Sequence, residues 1–512
     1  MVSAGILASR LLGLVRQRVF GHYFGTSDAA DAFNAAFRIP NVLQNLFGEG
    51  VLSASFIPVY ARLLAEGKRD EATRVANAVI GLLSLITSVV VLAGVLATPL
   101  LIDLIAPGFS GDKREQTILL VRILFPGAGL LALSAWCLGV LNSHRRFFLS
   151  YAAPVIWNLA VITALIVAGP GRDQYPLAAI AAWASVAGSG LQFLLQLPVV
   201  VRLIGPVRPR LEAGYVHART VIRNFVPVFV SRGVFQISAY VDTVLASLLP
   251  AGAVAGLAYA QTLSMLPVSL FGMAVSAAEL PAMSSVTGSE EAVARGLAQR
   301  LGTGLRQIAF LVVPSAVAFL ALGHVVAGVV YQSGEFTATV TLYVWGILAG
   351  SAVGLLAATM GRLYSSAFYA LQDTRTPLRF AVLRVALTIG LGYLFAFVVP
   401  GALGIEARWG AAGLTASAGM AAWVEFHLLR RALNRRIGPT GVPGLFLARL
   451  WGAAAAAAGL AWAVLTWAPV PYRLALDLLA LVVYGGAYFG VCHLLRIPEA
   501  ASLVARLRHR SG

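Results

Sequence analysis

The feature that most constrains this chain is its recurring apolar runs, which are too long for anything but membrane-spanning helices. VIGLLSLITSVVVLAGVLATPLLIDLIA (79–106) and LALDLLALVVYGGAYFGVCHLL (474–495) are two of many. A helix needs about 20 mostly apolar residues to cross a bilayer. A barrel strand needs only about 10, and nothing but a helix or a closed barrel satisfies its backbone in lipid. Of the 512 residues, 59% are hydrophobic and 12% charged, against about 25% charged in a soluble domain. The expected fold class is therefore an all-α polytopic membrane protein.

Reading apolar runs between Gly, Pro and charge punctuation predicts about fourteen helices. The expected spans are 1–23, 29–62, 73–106, 117–142, 150–169, 175–203, 219–249, 253–285, 304–331, 338–369, 378–399, 409–433, 445–468 and 473–495. The net charge of +17 then reads as topology rather than as a nucleic-acid footprint. Loops after the even-numbered helices carry Lys68, Arg69, Arg145, Arg146, Arg208, Arg210, Arg375, Arg435 and Arg436, whereas the opposite loops hold only Lys113, Arg114, Arg172, Arg408 and Arg473. By the positive-inside rule both termini are expected to be cytoplasmic. The first residues do not read as a signal peptide, because Arg10, Arg16 and Arg18 interrupt the apolar region. Cys137 and Cys492 lie inside apolar runs, and the seven histidines show no metal-ligand spacing, so neither a disulfide framework nor a metal site is expected.

An internal repeat organises the helices. LFGEGVLSASFIP (46–58) and LFGMAVSAAELP (270–281) share Leu-Phe-Gly, a small-residue stretch and a proline near the expected cytoplasmic end. An even number of helices between copies makes the repeats parallel, as in several transporters built from two similar halves. The expected division is a six-helix bundle over 1–204, a second over 205–436 related by pseudo-two-fold symmetry, and two extra helices with a basic tail over 437–512.

Charges at membrane depth cost about 2.5–3.5 kcal/mol each on insertion scales and mark function by default. Asp31, Asn34, Arg38, Asn41, Asn45 and Glu49 fall within roughly 80° of helix circumference. Ser9, Arg10, Gly13, Arg16 and Gln17 share an arc of roughly 120° on the preceding helix. Helix 7 adds Arg232 and Asp242, and helix 10 adds Arg362. Guanidinium groups present planar forks that match phosphate. One reading is a hydrated cavity for a phosphate-bearing anion; the other is helix-locking ion pairs such as Asp31 or Glu49 with Arg16 or Arg38, and the two can coexist as gates. Glu279 and Glu425 read as interfacial, His324 as an interior histidine, and Trp345 and Trp409 as belt residues. GSGLQF (188–193) has no strand–helix context. With no nucleophile–base pairing and no P-loop, neither an enzyme nor an ATP-driven pump is indicated.

SRLLGLVRQ followed by DAADAFNAAFRIPNVLQNLFGEGVLSASFIPVY resembles the start of the MurJ (MviN) family, bacterial lipid II flippases within a larger exporter group that includes MATE transporters. APGF (106–109), LNSHRRF (141–147), QISAYVDTVLASLL (236–249) and FYALQDTRTP (368–377) continue the resemblance. It implies a transporter without covalent chemistry in the bacterial inner membrane. Such a protein moves the undecaprenyl-pyrophosphate-linked peptidoglycan precursor from the cytoplasmic to the periplasmic leaflet by alternating access, as a monomer without cofactor. Its partners would be lipid II and membrane lipids, with no nucleic acid.

By resemblance, Arg10, Arg16, Arg38, Asn34 and Asn41 contact substrate, while Asp31 and Glu49 serve as gate. Two positions depart from the family: Gln44 and Thr262 stand where it has arginines, and Met265 replaces a glutamate. Arg232 is a candidate compensating cation. Asp242 resembles a carboxylate that contributes to a sodium site in some members. Helix 11 (FAVLRVALTIGLGYLFAFVV) lacks the partners for such a site, and Arg384 or Arg232 is a candidate to pair with Asp242 in place of a sodium ion or proton. The alternatives are a flippase for another polyprenyl-linked oligosaccharide and a MATE-type cation-coupled antiporter.

Overall fold

The computed structural model describes residues 2–286 and 288–501, except for the side chains of 2–8, 49, 151 and 230–239. The expected spans are largely helical where described, but 73–106 breaks at Ala97 and 304–331 at Leu322, and among the described residues the only β pairing is an isolated bridge between Ser333 and Phe336. Among the described residues, ten helices are long and apolar enough to cross a membrane by length and composition alone. The expected first, second, seventh and twelfth spans fall outside that set, and each carries several charged residues within its helix.

The chain forms two compact units, one comprising Met1–Ala255 with Ser333–Phe336, the other Gly256–Gln332 with Thr337–Gly512. The first contains α1 (Val2–Phe24), α2 (Asp28–Phe47), α3 (Glu49–Ser55), α4 (Ile57–Ala65), α5 (Arg69–Leu96), α6 (Thr98–Ile105), α7 (Gly111–Ser143), α8 (Phe147–Ala168), α9 (Gln174–Ile204) and α10 (Val216–Ser247). The helix α11 (Ala253–Pro267) begins at its edge. The second unit continues with α12 (Ala274–Ser284), α13 (Glu290–Ala321), α14 (Gly323–Tyr331), α15 (Ala338–Ala370), α16 (Arg375–Tyr393), α17 (Val399–Leu403), α18 (Gly410–Ile437), α19 (Gly444–Trp467) and α20 (Arg473–Leu494).

The expected single span 29–62 is instead three helices. Gly48 takes an extended conformation after Phe47, and Phe56 separates α3 from α4. The second Leu-Phe-Gly lies within a π-helical turn, Val268–Met273, between α11 and α12. Both copies of the motif therefore coincide with a departure from regular α geometry.

In the first unit the core gathers Phe56, Tyr60, Trp136, Val140 and Ile80. The Trp136 indole donates to the Ala76 carbonyl at 3.2 Å, so this buried aromatic is also satisfied. In the second unit a proline creates an anchor. Pro314 has no N–H, which leaves the Phe310 carbonyl without its helical donor. The Tyr488 hydroxyl donates to that carbonyl at 2.6 Å, and Tyr484 donates to the Pro314 carbonyl at 2.6 Å, fastening α20 to α13.

Candidate functional site

The site of the first unit is built on α1 and α2. Ser27 caps α2 by accepting the Ala30 amide at 3.2 Å, and Asp28 and Asp31 occupy its first turn, where the helix dipole favours negative charge. Phe20 of α1 meets Phe33 of α2 at a tilt of 39°, ring centroids 4.9 Å apart.

Asp31 does not lie open on a wet face as the periodicity suggests; it is 1% exposed and saturated. Its Oδ2 accepts the Lys113 ammonium at 2.6 Å and the Gly252 amide at 2.8 Å, while Oδ1 accepts the Ala255 amide at 2.8 Å. Lys113 also reaches Asp28 at 2.8 Å. The carboxylate thus caps the start of α11 and ties it to α2 and α7. Its partner is Lys113, rather than the Arg16 or Arg38 considered from sequence. Two left-handed glycines make this junction possible. Gly25 (φ +52°) and Gly252 (φ +90°) approach the Glu335 and Thr26 carbonyls so closely that a Cβ at either would sit 2.6 Å from oxygen.

Arg38 lies at the middle of α2 and donates to the Thr243 hydroxyl at 2.5 Å. The Tyr240 hydroxyl donates to the Arg38 carbonyl at 3.0 Å, and Asp242 is the carboxylate in electrostatic contact with the guanidinium. Arg384, the other cation considered for Asp242 from sequence, is bound to Glu425 at 3.1 Å. The Arg232 and Glu49 side chains lie outside the described residues, so their expected roles rest on sequence alone.

Arg16 lies over two aromatic faces, 4.6 Å from the Trp157 ring and 5.9 Å from Phe37. These cation–π contacts orient the guanidinium. The Trp157 indole is itself fixed by donating to the Ser185 carbonyl at 3.1 Å. Arg10 is exposed. Below Arg38, Asn41, Gln44 and Asn45 are half-buried, and no side-chain hydrogen bond of theirs is found among the described residues. Asn34, by contrast, donates to the Ala30 carbonyl of its own helix at 2.8 Å. Thr262 belongs to the second unit, where its hydroxyl donates to the Ala258 carbonyl at 2.9 Å.

Sequence reasoning missed Lys113, Thr243, Tyr240 and Trp157. Lys113 had one available signal, as one of the few basic residues on its side of the membrane. The others gave none, since their partners lie far away in sequence.

Charged and amide side chains gathered on apolar helices define the class as a polytopic helical membrane protein with a polar site. A solved structure described as an inward-facing multidrug resistance MATE family transporter superposes with a TM-score of 0.64, at 17% identity over 83% of this chain and 95% of that one. A structure of lipid II flippase MurJ in an inward closed conformation superposes with a TM-score of 0.78, at 22% identity over 96% and 98%. Residues 20–482 match the family described as lipid II flippase MurJ. The lipid II flippase MurJ of Burkholderia cenocepacia is 31% identical over 509 residues, covering 96% of this chain and 95% of the relative. The probable lipid II flippase MurJ of Rhizobium meliloti is 32% identical over 437 residues, covering 84% and 78%. The chain belongs to the MurJ family.

Proposed function

We propose that this protein carries lipid II across the bacterial inner membrane, from the cytoplasmic to the periplasmic leaflet, as a transporter and not an enzyme. The match to the MurJ family over residues 20–482 carries this reading. Arg10, Arg16 and Arg38 hold the pyrophosphate. The free amides of Asn41, Gln44 and Asn45 supply hydrogen-bonding capacity for sugar hydroxyls at low cost in charge. The polyprenyl tail stays in lipid. Asp31 acts as a latch at the outer end, and Glu49 acts as a gate residue. The two six-helix halves, 1–204 and 205–436, alternate in exposing the site, and both termini lie in the cytoplasm.

The Arg38 charge acts on Asp242, and helix 11 lacks the Asn and Asp partners of a sodium site, so transport is read as independent of sodium binding at that carboxylate. A second reading, a flippase for another polyprenyl-linked oligosaccharide, draws on Gln44 and Thr262. These put an amide and a hydroxyl where the family has cationic contacts for pyrophosphate.

Complementation of a strain depleted of its own lipid II flippase tests the assignment. The native chain is expected to restore growth, and Arg16→Ala and Arg38→Ala to abolish rescue at equal membrane abundance. A native protein that reaches the membrane and fails to rescue overturns the lipid II assignment. Rescue by both alanine variants overturns the site.

A further inference from the structure

A second group of charges lies wholly within the second unit, on α15, α16 and α18. Arg384 donates to the Glu425 carboxylate at 3.1 Å, and that carboxylate is 13% exposed and lies well inside α18. Arg362 is in electrostatic contact with both Arg384 and Glu425, and the Tyr369 hydroxyl with Glu425. The Arg362 backbone carbonyl accepts the Ser366 hydroxyl, but its guanidinium has no hydrogen-bond or ion-pair partner among the described residues. Two cations and one anion leave a net positive charge with one guanidinium fork unused.

The packing of α15 against α18 brings these groups together. Gly354 and Gly419 bring the two backbones into contact, since a Cβ on Gly354 would lie 2.2 Å from the Gly419 Cα. Following each helix toward its C-terminus, Arg362 lies about 12 Å and Glu425 about 9 Å beyond that crossing. The cluster sits about 12 Å inside the end of α15 at Ala370.

The open face of α15 is also unlike a lipid-facing surface. Ser351, Ala358, Arg362, Ser365 and Tyr369 are its exposed or half-buried positions along one stripe, within roughly 60° of circumference. Neighbouring α16 instead exposes Leu378, Val382, Leu383, Ile389 and Tyr393. Small and polar residues beside an unpaired guanidinium indicate a hydrated face.

We propose that Arg362 and Arg384 form an anion site for a phosphate-type group, in which the Glu425 carboxylate is a resident occupant displaced when the ligand arrives. The paired forks match phosphate oxygens, and the net positive charge rejects a cation. The ligand is either the headgroup of the transported lipid, a source that rests on the flippase reading, or an anionic phospholipid headgroup. The site itself depends on neither.

The test uses the full chain in detergent, with inorganic pyrophosphate binding followed by calorimetry in an Arg16→Gln/Arg38→Gln background. Arg362→Gln is expected to weaken the remaining binding at least tenfold, with Arg362→Lys intermediate. Glu425→Gln, which removes the competing charge at nearly constant shape, is expected to tighten it several-fold. A gain of affinity does not arise from a merely misfolded variant. Unchanged binding in Arg362→Gln, or weakened binding in Glu425→Gln, overturns the site. Repeating the titration in nanodiscs of phosphatidylcholine with and without phosphatidylglycerol identifies the source. Competition by phosphatidylglycerol marks a bilayer lipid, and its absence marks the transported headgroup; either result upholds the site. If the native chain fails complementation while this binding pattern holds, the flippase reading falls and the anion site stands.

Discussion

The Lys113 ammonium lies 2.6 Å from the same Asp31 oxygen that accepts the Gly252 amide. One buried carboxylate therefore joins α7, α2 and the start of α11, and its neutralisation affects all three. Removing one member of a buried pair typically costs about 3–5 kcal/mol. Asp31→Asn is expected to speed hydrogen exchange at the Gly252 and Ala255 amides by at least tenfold, leaving α20 unchanged. Equal exchange in both proteins would remove Asp31 from the latch.

Arg38 and Asp242 form the second relationship open to direct measurement. Arg38→Gln removes the cation, Asp242→Asn removes the carboxylate, and the double variant removes both. A double-mutant cycle on thermal stability is expected to give a coupling of about 1–3 kcal/mol. Transport in sodium-free buffer is expected to match transport in sodium. A sodium requirement abolished by Asp242→Asn would show that the carboxylate serves an external ion instead.

Trp157 is expected to matter for transport through Arg16. A guanidinium over an indole gains about 0.5–2 kcal/mol, and Lys at position 16 keeps the charge but loses the planar stack. Trp157→Leu and Arg16→Lys should each lower the rate several-fold, and their combination should add little. Full multiplicativity of the two effects would mean that the ring and the arginine act separately.

His144, just beyond the end of α7, gives a pH signature. Its ring accepts or donates a hydrogen bond with Tyr60 at 2.9 Å. Burial, then Arg69 and Arg146, pushes its pKa below the ordinary 6.5. A histidine depressed in the folded state binds fewer protons there than when unfolded. Its stabilising contribution is complete above pH 6.5 and is lost as the pH falls through the lower folded value. Thermal unfolding in detergent is expected to show a falling midpoint from pH 7 to pH 5, with a shallower slope in His144→Gln. Identical slopes would exclude His144 as the source.

The helices were legible because lipid demands long apolar runs, and the polar arc of α2 was legible because helical periodicity aligns Asp31, Arg38 and Asn41. Their partners were not. Periodicity shows which side of a helix a residue takes but not which distant backbone it meets, so the two amides that saturate Asp31 could not be foreseen. The same limit hid the partner of Glu425, which packing pairs with Arg384. The breaks at Gly48 and Phe56 were hidden because a short deviation leaves the surrounding hydrophobic pattern intact.

The π-helical turn at Val268–Met273 has a mechanical consequence. A π turn carries one residue more than an α turn. Relaxing it to α geometry swivels everything on its far side by about 100°, with scarcely any travel along the axis. Such a joint turns the α12 side chains, together with the end of the rod they stand on, toward a different environment. The Leu394–Val398 turn gives the α16–α17 rod the same freedom.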